Sequence, residues 1–399
     1  MNERLLRASR RWAAETPTVT ILVADPADES LVPADTQPLL SAWRALGLRV
    51  VLMPWQGAVP PVTLALPLGT WDYCDRYDEF IDRMRQLREG GTAPTADLEA
   101  VLWHSHKRYL CELADAGIPT VPTRVLNHSD DAVKLTAALM ELGAPAVYVV
   151  KPAMGSRGDG VERQVASEPA DWILAMLRTR ELLIQPFLSD VATCGEVCVV
   201  FVNGDLLHAV LKDPAGWGNT DATADETEPP TPALPAAQAP AELAQHASTR
   251  QEVRLLQPPP REMVELARRA MQFVTRRCGG APYLARVDML PASDGRWLVS
   301  ELELGWPELF LRANPGAVPL VASELLRHLP PNMLRHLPPD VRHPSPDATR
   351  AWHDDVDSPG SSRAAKRARR DATLTSDQVA VGQRLSEQKR RGRGLSSET

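Results

Sequence analysis

The chain has 399 residues with 44 basic and 51 acidic side chains, a formal net charge of −7, and 44% hydrophobic but only 5% aromatic residues. This composition excludes collagen-like, disulfide-stapled and wholly disordered classes and supplies apolar material for two or three packed lobes. From Val341 onward the sequence holds 12 basic and 8 acidic residues, leaving 32 against 43 in the body, so an acidic body carries a basic tail and the surface as a whole is not built for nucleic acid.

An apolar run at 19–23 ends at Asp25, and a helical pattern through Leu39, Leu40, Trp43 and Leu46 stops at Gly47. Further apolar runs at 50–53 and 62–66 complete a small parallel α/β unit that is expected to end near residue 100. Tyr77, Phe80, Ile81, Met84 and Leu87 place one apolar stripe on a charged helix over 75–88. A helix from about 104 to 116 is stopped by Gly117 and Pro119. Strand patterns at 121–126, 147–151, 161–165 and 182–187 alternate with helices at 130–142 and 172–177, which predicts a compact α+β module. Strands at 194–202, 206–211, 282–290 and 297–304, with a long helix over 261–277, predict a more antiparallel third lobe. The expected domains are therefore 1–100, 101–190 and 191–335.

Two segments fit no lobe. Residues 213–249 contain no Lys or Arg and are rich in Ala, Pro, Thr and acidic side chains, which predicts a disordered acidic insertion. Residues 340–399 predict a disordered basic tail with clusters at Lys366, Arg367, Arg369, Arg370 and at Lys389, Arg390, Arg391, Arg393. The phrase LRHLPP, at Leu326 and again at Leu334, has no solenoid period behind it and reads as the fold's frayed edge. The five scattered cysteines lack a CxxC pair, so reduced thiols of an intracellular protein are expected, with no zinc framework. The first twelve residues predict no secretory signal, and no apolar stretch reaches the roughly 20 residues of a membrane span. A cytoplasmic location follows, with a nuclear one open through the basic tail.

Lys151 closes an apolar strand and is followed by a loop containing Gly155, Ser156, Gly158 and Gly160. Glycines let backbone N–H groups turn into one concavity, a suitable cradle for phosphate oxygens. The loop lacks GK[ST], and the strand-like residues after it lack the helix start of a dinucleotide fingerprint. A flexible hairpin with one surface lysine is the alternative.

The second constellation rests on hairpin arithmetic. If Asp294 and Gly295 form a two-residue turn, Asp288 faces Glu301, Arg286 faces Glu303, and all four share one face of the ladder. Like charges crowded across a ladder repel unless something positive lies between them, and an all-oxygen donor set suits Mg²⁺ or Mn²⁺. The alternative is a solvated face on which Arg286 offsets its neighbours. Lys107, after Trp103, reads by default as an exposed helical lysine. Lys212 ends a strand, where it reaches a phosphate or a substrate or marks a loop. His104, His106 and His208 lack metal-site spacing, Ser156 lacks a nucleophile elbow, and Cys194 and Cys198 read as core residues of one strand face.

The ordered set Lys107, Lys151, glycine loop, Leu183-Ile184-Gln185-Pro186-Phe187, Gly195-Glu196, Arg286-Val287-Asp288 and Glu301-Leu302-Glu303 resembles the ATP-grasp superfamily of carboxylate–amine ligases. Thr70-Trp71-Asp72-Tyr73, the run from Trp103 to Leu110 and the run from Gly117 to Thr123 are similar to the branch that holds the cycloserine-forming ligase and glutathione-synthetase-like proteins. The resemblance covers about 19–325, interrupted by the insertion. It implies an α/β (α+β) ATP-grasp fold with an N-terminal parallel lobe, a central lid lobe and a C-terminal antiparallel lobe. It further implies ATP held between the second and third lobes, with Lys107 and Lys151 on its phosphates and the loop of Gly155, Ser156, Gly158 and Gly160 closing over them. Adenine would meet Gln185, Pro186, Phe187 and Leu188, largely through backbone. Asp288, Glu301 and Glu303 would bind two Mg²⁺ (or Mn²⁺) ions, while Arg286 neutralises the transferring phosphoryl group and Lys212 assists. Leu68 and Gly69 stand where the family usually carries an arginine, and Arg250 or Arg254 is the counterpart of a substrate-contacting arginine. The expected function is ATP-dependent ligation of a small acid, activated as an acyl phosphate, to an amine. The alternatives are an ATP-binding protein without turnover, a kinase-like transfer, and a nucleic-acid-associated protein acting through its tail.

Overall fold

The computed structural model describes residues 17–25, 36–58, 63–91, 95–156, 158–213, 253–305 and 307–342. The insertion beyond Asp213, Arg250 and the clusters of the basic tail lie outside the described residues. Residues up to Leu337 form one unit; of the second unit, the described part is Pro338 and the four-residue helix Pro339–Arg342.

The first sheet is parallel, in the order β2–β1–β3, from β1 (Thr18–Val23), β2 (Arg49–Pro54) and β3 (Thr63–Gly69). Its central strand is buried at every position, as a parallel strand covered on both faces must be. Helix α1 (Gln37–Ala45) packs Leu39, Leu40 and Trp43 against it, and α2 (Tyr77–Glu89) buries Phe80, Ile81, Met84 and Leu87, the stripe legible in the sequence.

The helix expected over 104–116 is two. Helix α3 (Thr95–His104) ends, a turn follows, and α4 (Tyr109–Asp115) begins. Lys107 therefore sits in a turn. The backbone N–H of Lys107 donates to Ala153 O at 2.7 Å, a contact that an uninterrupted helix would have consumed internally.

The second sheet is antiparallel, in the order β4–β7–β5–β6, from β4 (Arg124–Leu126), β5 (Val147–Pro152), β6 (Glu162–Val165) and β7 (Leu182–Pro186). Helices α5 (Ala132–Glu141) and α6 (Asp171–Leu177) cover it through Leu135, Ala138, Ile173 and Leu177. The stretch read as one strand over 121–126 is divided: Val121 N donates to Val299 O and Val299 N to Pro119 O, both at 2.9 Å, while Arg124–Leu126 pairs with β7.

The third sheet, β10–β9–β8–β11–β12, is antiparallel and built from β8 (Glu196–Val202), β9 (Asp205–Lys212), β10 (Val253–Leu255), β11 (Leu284–Pro291) and β12 (Trp297–Glu303). A four-residue helix, α7 (Val191–Cys194), precedes β8 and leaves Cys194 exposed. The shared strand face expected for Cys194 and Cys198 is thus corrected: Gly195, at φ 74°, ends the helical turn, and only Cys198 enters the sheet. One face of the sheet packs Val197, Val199, Phe201, Ala285, Val287, Met289 and Leu302 against helix α8 (Arg261–Cys278). Met263, Val264, Ala267, Ala270, Met271, Val274 and Cys278 supply the helix's buried stripe, and Gly279 at φ 74° terminates it. The opposite face carries Glu196, Cys198, Lys212, Arg286, Asp288, Glu301 and Glu303.

The β11–β12 turn differs from its expectation. Ala292 N donates to Arg296 O at 2.8 Å across a three-residue loop, Ser293-Asp294-Gly295, with Gly295 at φ 83°, a loop that needs a left-handed third residue. Asp288 nevertheless pairs with Glu301 and Arg286 with Glu303, because the register shifts between Asp288 and Met289, which pairs with Val299. Ser300 is the extra residue of a β-bulge. Without it, the three-residue loop would set Ser300 opposite Asp288 and Glu301 opposite Val287, turning Glu301 and Glu303 into the core face.

Beyond the sheet, helix α9 (Val318–Glu324) and α10 (Pro331–Leu334) follow, the second preceded by a short 3₁₀ turn. The LRHLPP duplication is not frayed. Leu329 and Leu337, equivalent positions of the two copies, are buried, and His328 Nε2 lies 2.6 Å from Asn203 Oδ1.

A candidate site of three lysines and four carboxylates

Lys107 comes from the turn between α3 and α4, Lys151 from the end of β5, and Glu301 from β12. Lys107 Nζ lies 2.6 Å from Glu301 Oε1 and donates to Gly155 O at 2.9 Å. The expected exposed lysine is therefore a buried one, its side chain 13% exposed. Burial alone would lower its pKa, but the Glu301 charge beside it prevails and holds the ammonium well above its usual range. Among the described residues Lys151 has no such close partner; burial, only partly opposed by Glu301 and reinforced by Lys107, brings it down to about 8. Against its own burial, Glu301 is held below the usual carboxylate range by Lys107 and Lys151.

Next to it, Arg286 grips Asp288 with two parallel bonds, Nε to Oδ1 and Nη2 to Oδ2, both 2.7 Å. The same guanidinium stands 3.7 Å from Glu303 Oε1. Burial raises the Asp288 carboxyl, and Arg286 with Lys212 more than reverses it. Glu303 is pushed up to about 7 by burial, which Arg286 offsets only in part and the neighbouring Glu301 charge reinforces. Lys212 Nζ donates to Glu196 Oε2 at 3.1 Å.

The cross-strand arithmetic brings Asp288, Glu301, Glu303 and Arg286 onto one face. Each carboxylate is nonetheless paired with a cation, and the tightest group of possible ligand atoms among the described residues is Glu196, Cys198 and Asp288, within 4.8 Å of one another. The donor set at Asp288, Glu301 and Glu303 is all oxygen, partly buried and cation-compensated, which fits a hard divalent ion able to replace those cations.

The glycine loop is folded back toward these lysines. Ser156 Oγ donates to Trp71 O at 3.0 Å, and Tyr73 Oη lies 3.3 Å from both Gly155 O and Ser105 O. Gly160 has φ 68°, and a Cβ there would meet Pro152 Cγ at 2.9 Å. Gly158 is also left-handed. At the end of β7, Gln185 Nε2 donates to Thr123 Oγ1 at 2.8 Å, and Phe187 N donates to Val147 O at 3.1 Å beneath the Arg163 guanidinium. Pro186 pairs with Tyr148 and Leu188 O accepts from Val191 N, so these backbone groups, like the Gln185 amide, are engaged within the chain.

Sequence reasoning gave no role to Glu196, Tyr109 or Phe310. Tyr109 Oη receives Leu302 N at 3.0 Å and fixes β12 beside Glu301. Asn203-Gly204, with φ 51° and 85°, is the two-residue turn that signals the β8–β9 hairpin. Only the register shift between Val200 and Phe201 then sets Glu196 opposite Lys212.

Comparison with known structures places this architecture. The crystal structure of D-cycloserine synthetase DcsG superposes with a TM-score of 0.62 at 23% identity, covering 77% of this chain and 99% of that one. D-alanine–D-alanine ligase from Bacillus anthracis superposes with a TM-score of 0.53 at 16% identity, covering 80% and 98%. The chain has the ATP-grasp fold. Within it, residues 19–94 match the family model described as D-cycloserine synthetase DcsG, N-terminal domain. The cycloserine biosynthesis protein DcsG of Streptomyces lavendulae is 30% identical over 189 residues, which cover 45% of this chain and 62% of that protein, less than two thirds of its length. No helix among the described residues is long and apolar enough to cross a membrane.

Proposed function

We propose that this ATP-grasp chain is an ATP-dependent ligase that joins a small-molecule carboxylate to an amine-type nucleophile through an acyl phosphate. The observation that carries the reading is the pairing of Lys107 with Glu301, within the electrostatic reach of Lys151 from a different element and with Asp288 directly across the ladder. Such a patch is too expensive to keep for packing: buried ion pairs recover little more than their own desolvation. It becomes useful where a polyanion and its counter-ions displace the internal partners.

On this reading Lys107 and Lys151 take the phosphate oxygens of ATP, and the loop from Gly155 to Gly160 covers them. Asp288, Glu301 and Glu303 would hold Mg²⁺, which when bound offsets phosphate charge. Arg286, freed of Asp288 but still held by Glu308 O, neutralises the transferring phosphoryl group, while Lys212 faces the acid. A carboxylate resists attack because of its charge and resonance; transfer of the γ-phosphoryl group converts it into an acyl phosphate with a good leaving group. Attack by the amine then expels phosphate, and no side chain forms a covalent bond. Positioning and charge neutralisation supply the catalysis, and the closed loop keeps water from the activated acid.

ADP release across a panel of amino acids and small acids, each with and without an amine, and mass spectrometry of the product test the reading. Asp288→Asn and Glu301→Gln are each expected to lower turnover by about a hundredfold or more while the fold persists. Wild-type rates in either variant, or ADP formation that no acid stimulates, would overturn the assignment.

A further inference from the structure

The segment after β12 carries a conformational outlier inside the charged cleft. Phe310 has φ 53° and is 1% exposed; a bulky side chain in the left-handed region is strained and persists only where its surroundings hold it there. They do so here. His208, on β9, lies with Nε2 2.8 Å from Leu309 O and Nδ1 3.1 Å from Asn314 Nδ2. Arg286 Nη1 donates to Glu308 O at 3.1 Å, and Arg312 pairs with the Glu308 carboxylate. The segment is thus tied to two strands of the third sheet, with the phenyl ring pressed between.

Three cations converge on that ring. Lys212 Nζ stands 5.6 Å from its centroid, the Arg286 guanidinium carbon 5.3 Å and the Arg312 guanidinium carbon 5.2 Å. Each also has a carboxylate partner: Glu196, Asp288 and Glu308 respectively. An aromatic face attracts cations within about 6 Å through its quadrupole but carries no net charge. It therefore holds them without cancelling the field that an incoming anion feels, which a carboxylate would do. When Asp288 turns to a divalent ion, the ring and Glu308 O remain to keep Arg286 in place.

We propose that Phe310 is a positioning residue that gathers Lys212, Arg286 and Arg312 into one subsite for a small oxyanion, the carboxylate of the acid substrate or the phosphate it becomes. The proposal rests on the ligase reading for the identity of the anion, and adds Phe310 and Arg312 to the residues that select it. The substrate end opposite Lys107 and Lys151 is then recognised by positive charge at a fixed spacing.

The test uses the full chain and two probes, an ATP analogue with Mg²⁺ and inorganic phosphate, whose binding is followed by calorimetry. Incorporation of mono-, di- and trifluorophenylalanine at position 310 drains the ring quadrupole at nearly constant volume. Phosphate affinity is expected to fall stepwise, by about tenfold across the series, while nucleotide affinity and melting temperature stay at the wild-type values. Arg312→Gln, on a side chain 40% exposed, is expected to weaken phosphate about tenfold at unchanged melting temperature. Phosphate affinity that is flat across the fluorinated series, or that ignores Arg312→Gln, overturns the proposal, as does a wild-type protein that binds no phosphate. Loss of nucleotide binding in the wild-type protein with a graded phosphate response would sink the ligase reading and leave the subsite standing.

Discussion

Asp97, on α3, is 5% exposed, accepts Tyr283 N at 2.6 Å through Oδ1, and has no partner for Oδ2 among the described residues. Burial, only partly offset by that one hydrogen bond, pushes its carboxyl from 3.8 up to about 7. The folded state therefore holds a proton that the unfolded chain releases, and the resulting stability is complete below pH 4 and is lost as the pH rises through about 7. Asp97→Asn keeps an acceptor for Tyr283 and removes the titration. The variant is expected to gain on the wild-type protein as the pH goes from 5 to 8, by about 1.4 kcal/mol for each pH unit inside the window. Denaturant titrations of both proteins at several pH values measure it, and parallel curves would refute it. Residue identity was enough to nominate Asp288, Glu301, Glu303, Arg286 and Lys151, because alternation along a strand and a lysine at a strand end are local facts. It missed the burial of Lys107, since nothing local announces that a helix breaks at Ser105 to let Lys107 N reach Ala153 O.

Elements show the same division. The stripes of α2 and α8 could be read from spacing, and the strands of the three sheets were legible to within a few residues except β10, which follows the insertion and carried no signal of its own. What could not be read were the one-residue irregularities: the bulge at Ser300, the shift between Val200 and Phe201, and the division of 119–126 between two sheets. Each is decided by packing with a partner distant in sequence; for Ser300 it is the preference of the core for Leu302 over Glu301 opposite Val287. The expected Asp288–Glu301 pairing was correct although the assumed turn was one residue too short, because the bulge offsets the longer loop. Two substitutions test the elements themselves. Met271→Ala, in the buried stripe of α8, is expected to cost about 2–5 kcal/mol in chemical denaturation. Gly160→Ala places a Cβ against Pro152 at a left-handed residue and is expected to cost about 1–2 kcal/mol. It should also weaken nucleotide binding; a neutral result in both measurements would show that the loop relaxes freely.

At the scale of the molecule, the glycine loop and the parallel-sheet lobe are joined through Tyr73, Ser156 and the backbone of Trp71 and Gly155. Tyr73→Phe deletes the hydroxyl and is expected to raise the KM for ATP about threefold. Limited proteolysis should cut within 155–160 faster than in the wild-type protein, and equal digestion rates would show that the hydroxyl contributes nothing to holding the loop.

The hydrogen bond from Tyr283 to Asp97 spans 186 positions of sequence. Tyr283 stands at the threshold of β11, the strand that carries Arg286 and Asp288, and its amide finds its acceptor on α3, which packs with the first lobe. The strand that carries Arg286 and Asp288 is thus fastened at its start by a residue far upstream, and loosening either partner would loosen the anchorage of both charged side chains.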